Sequence, residues 1–228
     1  ASLLVLGRLG GVERPAIVAN VPTDNGVVAL LDVGANADCR PSHLQQFGLM
    51  GAVYAQAMLG RKDPRVGLIS IGEEAQKGNE LTRNAHELLA ATEFIDFYGN
   101  VEGRDLLRGT TEVMVTDGFT GNVMLKLAEG EARTLFSWIR GAIRGGSLRT
   151  RIGGMLSKPA LLQVAARLAP WEYCTQPLLG VKANSFIGHG SSDARAVSSA
   201  LRVAAQAVRS DLTGRLAAGL EAAGTAGD

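Results

Sequence analysis

The run Glu112–Lys126, EVMVTDGFTGNVMLK, gathers residue types that can hold an anion or a developing oxyanion. Glu112–Thr116 is apolar and β-rich, Gly118 and Gly121 bracket a tight turn, and Val123–Gly141 has helical spacing through Leu127, Leu135 and Ile139. Thr120 or Asn122 can cap that helix. On this reading free N–H groups and the positive end of the helix dipole converge at Gly121 and Asn122, which suits a phosphate. Asp117 falls at the carboxyl end of the strand, the ligand edge of parallel sheets. The same residues also fit an ordinary strand-to-helix connection with a capping Asn.

Other candidates sit in polar, glycine-rich segments. Lys77 in EEAQKGNE and Lys126 just after DGFTGN can supply cations to a phosphate, and Arg104 can fork onto one bidentately. Glu74 and Glu102 can orient those cations or remove a proton. His189 lies in IGHGSSD ahead of the last helix, where Ser191, Ser192 or Asp193 can cap, so this is either cap architecture or a second anion-friendly terminus beside an imidazole. His43 and His86 fall on helix patterns and read as surface or interface residues. Cys39 reads as a buried, inert thiol, since no basic residue is arranged to lower its pKa. The Cys and His residues have no paired spacing, so no zinc site is expected. Neither GxGxxG nor GxxxxGK[ST] occurs, so NAD and ATP lose their best support and no cofactor is expected.

These residues need elements to position them. Ala29–Val33, Arg65–Ile71, Phe94–Tyr98 and Glu112–Thr116 read as short strands. Pro41–Leu59 and Asn79–Ala91 read as helices between them. Strand and helix alternate, which predicts a parallel sheet with every strand's carboxyl end on one edge. The clusters DVGANAD, IGEEAQKGNE, GNVEGRD and DGFTGN all follow strands and so can line one cleft. The tail Asp193–Ala223 reads as one helix with Val197, Leu201, Ala204, Val208, Leu212, Leu216 and Leu220 in a stripe.

The 228 residues, 46% of them hydrophobic, suit a single α/β domain over 1–228 that buries roughly 70–75% of its unfolded surface. Two cysteines fit a reduced, cytoplasmic protein. A net charge of +1 gives no sign of nucleic-acid binding. The opening ASLLVLGRLGG lacks the basic start and cleavage site of a signal peptide, and a fragment or processed form is expected. Between Ala132 and Trp171 the chain carries seven cations and no acid. Pro159 is expected to break this stretch into a basic amphipathic hairpin projecting over 142–172. Its residues Arg144, Arg149, Arg151, Lys158 and Arg167 fit either a partner-binding surface or a device resting on anionic lipid.

Taken together, LLDVGANADCRP, PRVGLISIGEEAQKGNEL, FYGNVEGRDLL, VMVTDGFTGNVMLKLAEG and IGHGSSD closely resemble the bacterial phosphate acyltransferase family, the acyl-ACP:phosphate transacylases. The match runs in order from about Leu3 to about Arg209, and the family's first strands are missing from this chain. The resemblance implies a Rossmann-like, three-layer fold of the isocitrate and isopropylmalate dehydrogenase type. It also implies a homodimer that associates peripherally with membranes. The implied activity transfers a long-chain acyl group from acyl carrier protein to inorganic phosphate for phospholipid synthesis. Phosphate is then the nucleophile, and the protein must position and stabilise. Asn36, Asn79, Asn100 and Asn122 are oxyanion candidates by motif position. Rival readings are a phosphate acetyltransferase or metal-dependent hydroxyacid dehydrogenase of the same fold, and a folded but inactive dimerising or membrane-docking portion.

Overall fold

Hydrophobic alternation along the strands requires cover on both sheet faces, and the fold supplies it. The computed structural model describes residues 5–167, 175–188 and 193–224. Strands β1 (Ala16–Thr23), β2 (Gly26–Leu31), β3 (Arg65–Ile69), β4 (Asp96–Val101), β5 (Val113–Val115), β6 (Gln176–Leu179) and β7 (Phe186–Ile187) form one sheet in the order β4-β3-β5-β2-β1-β6-β7. The pairs β4/β3, β3/β5 and β5/β2 are parallel, whereas β2/β1, β1/β6 and β6/β7 are antiparallel. Five strands therefore run one way, and β1 and β7 run against them. The result is an α/β fold on a mixed, mostly parallel sheet.

Ala29, Leu31, Val66, Leu68, Val113 and Val115 face one core with α1 (Pro41–Leu59), α2 (Glu80–Ala90) and residues of α6 (Ala194–Arg209) and α7 (Leu212–Ala222). The alternate residues Val28, Leu30, Ile69 and Met114 face a second core with Leu106 of α3 (Gly103–Arg108) and Met124 and Leu125 of α4 (Gly118–Gly145). Period-2 alternation thus produces three layers. The helix α5 (Leu148–Arg167) packs on α4.

Several boundaries differ from the sequence reading. Asn20 and Pro22 interrupt the apolar run of β1, which nevertheless pairs with β2 through a hairpin closing at Thr23 and Gly26. Helix α4 begins at Gly118 instead of Val123 and runs for 28 residues. The break before α5 comes at Gly146, whose backbone is extended, and Pro159 lies inside α5. On an exposed helix a proline frees one carbonyl that water can satisfy, so it need not end the helix. The tail is two helices, because Asp211 adopts φ 49° and caps α7 through Gly214 N–H. Asp tolerates this left-handed conformation better than most residues. The predicted stripe splits there: Leu212, Leu216 and Leu220 are buried, whereas Val197, Leu201 and Val208 are exposed.

Candidate functional site

The carboxyl ends of β4, β3, β5 and β2 lie side by side, so the loops after Val101, Ile69, Val115 and Leu31 share one edge. The four glycine-rich clusters are therefore neighbours, as their positions after strands predict. Their contacts are direct: Gly118 N donates to the Asn36 carbonyl at 2.8 Å, and Ser70 N donates to the Val101 carbonyl at 2.8 Å.

The 32–36 loop is organised by Asp32, whose side chain is fully buried. Its Oδ1 accepts from Ile17 N and Ala35 N at 3.0 and 3.1 Å. Its Oδ2 accepts from Asn36 N and Nδ2 at 2.7 and 2.9 Å. Four N–H donors plus the adjacent start of α4 offset the cost of burying this carboxylate. Sequence reasoning missed Asp32 as a positioning residue; an acid at the end of the apolar run 29–33 was the available signal.

Helix α4 starts against this loop and is fitted closely to it. A Cβ on Gly118 would sit 2.6 Å from the Asn36 carbonyl oxygen, and one on Gly121 would overlap the Asp32 carbonyl oxygen. Asp117 is the N-cap: its Oδ1 accepts from Thr120 N and its Oδ2 from Thr120 Oγ1, each at 2.8 Å. This corrects the capping assignment to Thr120 or Asn122. It also corrects the picture of free N–H groups at Gly121 and Asn122. Gly118 N is held by Asn36, Thr120 N by Asp117 Oδ1 and Gly121 N by the Asp117 carbonyl at 3.0 Å. Both glycines therefore serve close approach.

The asparagines divide by what their amides already do. Asn36 spends Nδ2 on the Pro15 carbonyl at 2.8 Å and on Asp32. Buried Asn100 donates Nδ2 to the Glu74 carbonyl at 2.8 Å, and its Oδ1 lies 3.0 Å from His86 Nδ1. His86 also meets Phe97 edge-on at 5.0 Å between ring centroids. Asn79 caps α2, accepting from Thr82 N at 2.9 Å through Oδ1. Asn122 is exposed, stands against Gly34 and has no side-chain hydrogen bond among the described residues.

The cations divide in the same way. Arg104 is engaged by Glu102 at 2.8 Å and Glu73 at 3.6 Å, and Lys126 by Glu129 at 3.0 Å. Lys77 is exposed and, among the described residues, has no ion-pair partner; its backbone amide closes a turn on Glu74 O at 2.9 Å. Among the described residues, Lys77 after β3 thus has no ion-pair partner, and Asn122 after the neighbouring β5 has no side-chain hydrogen bond. His189, Ser191 and Ser192 lie outside the described residues.

Cys39 is half-buried, and burial pushes its thiol up to about 11, with the Gly118 amide partly opposing. It is therefore protonated at neutral pH, consistent with an inert thiol. His43 is buried instead of exposed, beside Glu13 at 3.1 Å. Burial lowers its pKa and outweighs the carboxylate that raises it. Because Arg40 N donates to Nδ1 at 3.1 Å, the neutral ring carries its proton on Nε2, facing Glu13. Arg144, Arg149, Arg151 and Lys158 are exposed on α4 and α5, beside exposed Leu148, Ile152, Met155 and Leu156. No helix among the described residues is long and apolar enough to cross a membrane.

Comparison with known proteins gives the chain its relatives. A phosphate acyltransferase of Thermus thermophilus is 57% identical over 216 residues, covering 95% of this chain and 66% of that protein. Phosphate acyltransferases of Desulforudis audaxviator and Elusimicrobium minutum are 46% and 49% identical and are covered over 65% and 61% of their lengths. The chain thus spans just under two thirds of these curated relatives. The EutD phosphotransacetylase of Staphylococcus aureus superposes with a TM-score of 0.47 at 16% identity, over 57% of this chain and 46% of that one. The profile of the family described as fatty acid synthesis protein matches residues 1–215, and the chain belongs to that family.

Proposed function

We propose that this chain carries the phosphate-binding and carbonyl-polarising edge of a phosphate acyltransferase, which moves a long-chain acyl group from acyl carrier protein to inorganic phosphate. The observation that carries the reading is that Lys77 and Asn122, neither with a side-chain partner among the described residues, follow adjacent strands. A phosphate oxygen attacks the thioester carbonyl, the C–S bond breaks, and the thiolate leaves and takes up a proton. The products are an acyl phosphate, for phospholipid synthesis, and the free carrier thiol. Lys77 fixes the phosphate, with Asn79, Gly118, Thr120 and Gly121 shaping its seat. Asn122 Nδ2 donates to the oxyanion. Asp117, Glu74, Asn36, Asn100 and the Glu102–Arg104 pair hold these groups in place, and Lys126 bounds the site from the next turn of α4.

The basic, apolar-studded hairpin of α4 and α5, with Arg144, Arg149, Arg151 and Lys158, receives an acidic partner, the carrier protein or an anionic membrane; the side chain of Arg167 lies outside the described residues. The exposed stripe Val197, Leu201 and Val208 on α6 supports a homodimer. A phosphate acetyltransferase-like activity is the second reading, supported by the same edge.

The decisive experiment incubates the chain with long-chain acyl-ACP, with and without phosphate, and quantifies acyl phosphate by mass spectrometry. Phosphate-dependent product establishes the transferase. Product from acetyl-CoA alone points to the second reading. Silence here with rescue by an N-terminally extended chain shows an incomplete enzyme, and silence in both rejects the function.

A further inference from the structure

A second feature lies one strand further along the same edge. Because β1 runs against its neighbours, its beginning, instead of its end, meets the carboxyl ends of the parallel strands. Arg14 and Pro15 immediately precede it. The Pro15 carbonyl accepts from Asn36 Nδ2, and Arg40, four residues beyond Asn36, is the N-cap of α1. Arg8 pairs with Val181 just after β6. Arg8, Glu13, Arg14, Pro15, Arg40 and His43 line a cleft of about 490 Å³.

Behind the cleft, buried polar groups fix its lining. Buried Gln46 receives Glu13 N at 2.9 Å and donates to the Gly11 carbonyl at 2.8 Å, and buried His43 holds Glu13 at 3.1 Å. Its rim is unbalanced. Arg8 donates to the Glu13 carbonyl, and neither Arg14 nor Arg40 has an acidic partner among the described residues. Three guanidiniums thus face one carboxylate already engaged by a neutral imidazole. An isolated exposed arginine is ordinarily a solvated charge. Three converging on one cleft repel each other and raise the local potential, which favours a phosphate ester that planar guanidiniums can grip bidentately.

We propose that this cleft is a second anion subsite, formed by Arg8, Arg14 and Arg40, that holds the phosphodiester of the phosphopantetheine arm bearing the thioester. The inference rests on the carrier-thioester reading above. Strand β1 is two positions from β5, about 10 Å. The amide-containing arm spans roughly 13 Å or more when extended, so its sulfur reaches Asn122 while its phosphate stays in the cleft.

The test is calorimetric titration of the chain with 4′-phosphopantetheine and with pantetheine, which lacks the phosphate. The phosphorylated form is expected to bind at least about tenfold tighter. Arg14→Gln with Arg40→Gln should abolish that preference, while Lys77→Met leaves it. Equal binding of the two compounds, or a preference that depends on Lys77 and not on the arginines, overturns the assignment. Unchanged thermal unfolding of the double variant guards against misfolding. Phosphate-dependent acyl transfer without an arginine-dependent preference discards the cleft and keeps the function, whereas an arginine-dependent preference with no transfer by either this chain or an N-terminally extended one keeps the cleft and discards the function.

Discussion

Asp32 accepts two hydrogen bonds from a single residue, Asn36, through its backbone amide at 2.7 Å and its side-chain amide at 2.9 Å. Asn36 in turn receives Gly118 N, so the buried carboxylate fixes the start of α4 through one intermediary. Asp32→Ala would strand four donors and should cost on the order of 3 kcal/mol. Urea unfolding checks this, and a change within about 0.5 kcal/mol, the scale of neutral surface substitutions, would contradict it.

Two glycines of one helix should respond oppositely to alanine. Gly121→Ala places a methyl group on the Asp32 carbonyl and should destabilise strongly, whereas Gly130 has nothing within 4 Å of a built Cβ. Gly130→Ala should stabilise by up to about 1 kcal/mol through helix propensity. Thermal unfolding of the two variants, side by side, should move in opposite directions.

Asn122 and Asn100 should separate rate from stability. Asn122→Ala removes a side chain with no partner, so unfolding should be unchanged while acyl phosphate formation falls about 10²-fold, as for a lost oxyanion donor. Asn100→Ala frees the Glu74 carbonyl and His86, and should cost about 1–3 kcal/mol. Equal stability losses in both would remove Asn122 from the reaction.

His43 gives the fold a pH dependence of defined sign. Its pKa is lowered in the folded state from 6.5, so the unfolded chain binds the proton more readily. Stability is then fully present above about 6.5 and declines as pH falls toward the folded value. Replacing His43 with Gln should flatten that part of a stability-versus-pH curve measured by chemical denaturation, and an unaltered slope would exclude the assignment.

Cys39, raised to about 11, should alkylate slowly with iodoacetamide at neutral pH in the native protein and rapidly after denaturation. Peptide mapping separates it from Cys174. Fast native labelling would show that the thiol is not protected as described.

The four ligand-edge loops were legible because each glycine-rich cluster directly follows an apolar run, and α1 because Pro41 opens and Gly60 closes an uninterrupted apolar pattern. What escaped depends on tertiary contact. Gly118 and Gly121 read as turn residues, yet the helix needs them because Asn36 and Asp32 backbone atoms lie against its first turn. Asn20 and Pro22 hid β1, although the Asp24–Asn25–Gly26 turn was a hairpin signal. The pairs Arg14–Pro15 and Arg40–Pro41 are far apart in sequence, and only the reversed direction of β1 brings them to one cleft.

Helix α4 runs for 28 residues, roughly 42 Å, yet its buried residues are Gly118 and Gly121 in the first turn. Packing of this kind sets a gradient of opening free energy along a single helix. The far turns, lacking core contacts, open in local fluctuations, while the first turn exchanges its amides only when the sheet edge itself comes apart. Asn122 sits at the boundary between the two regimes, so the rigidity of its backbone is borrowed from the strands below it and is independent of whatever engages the distal turns.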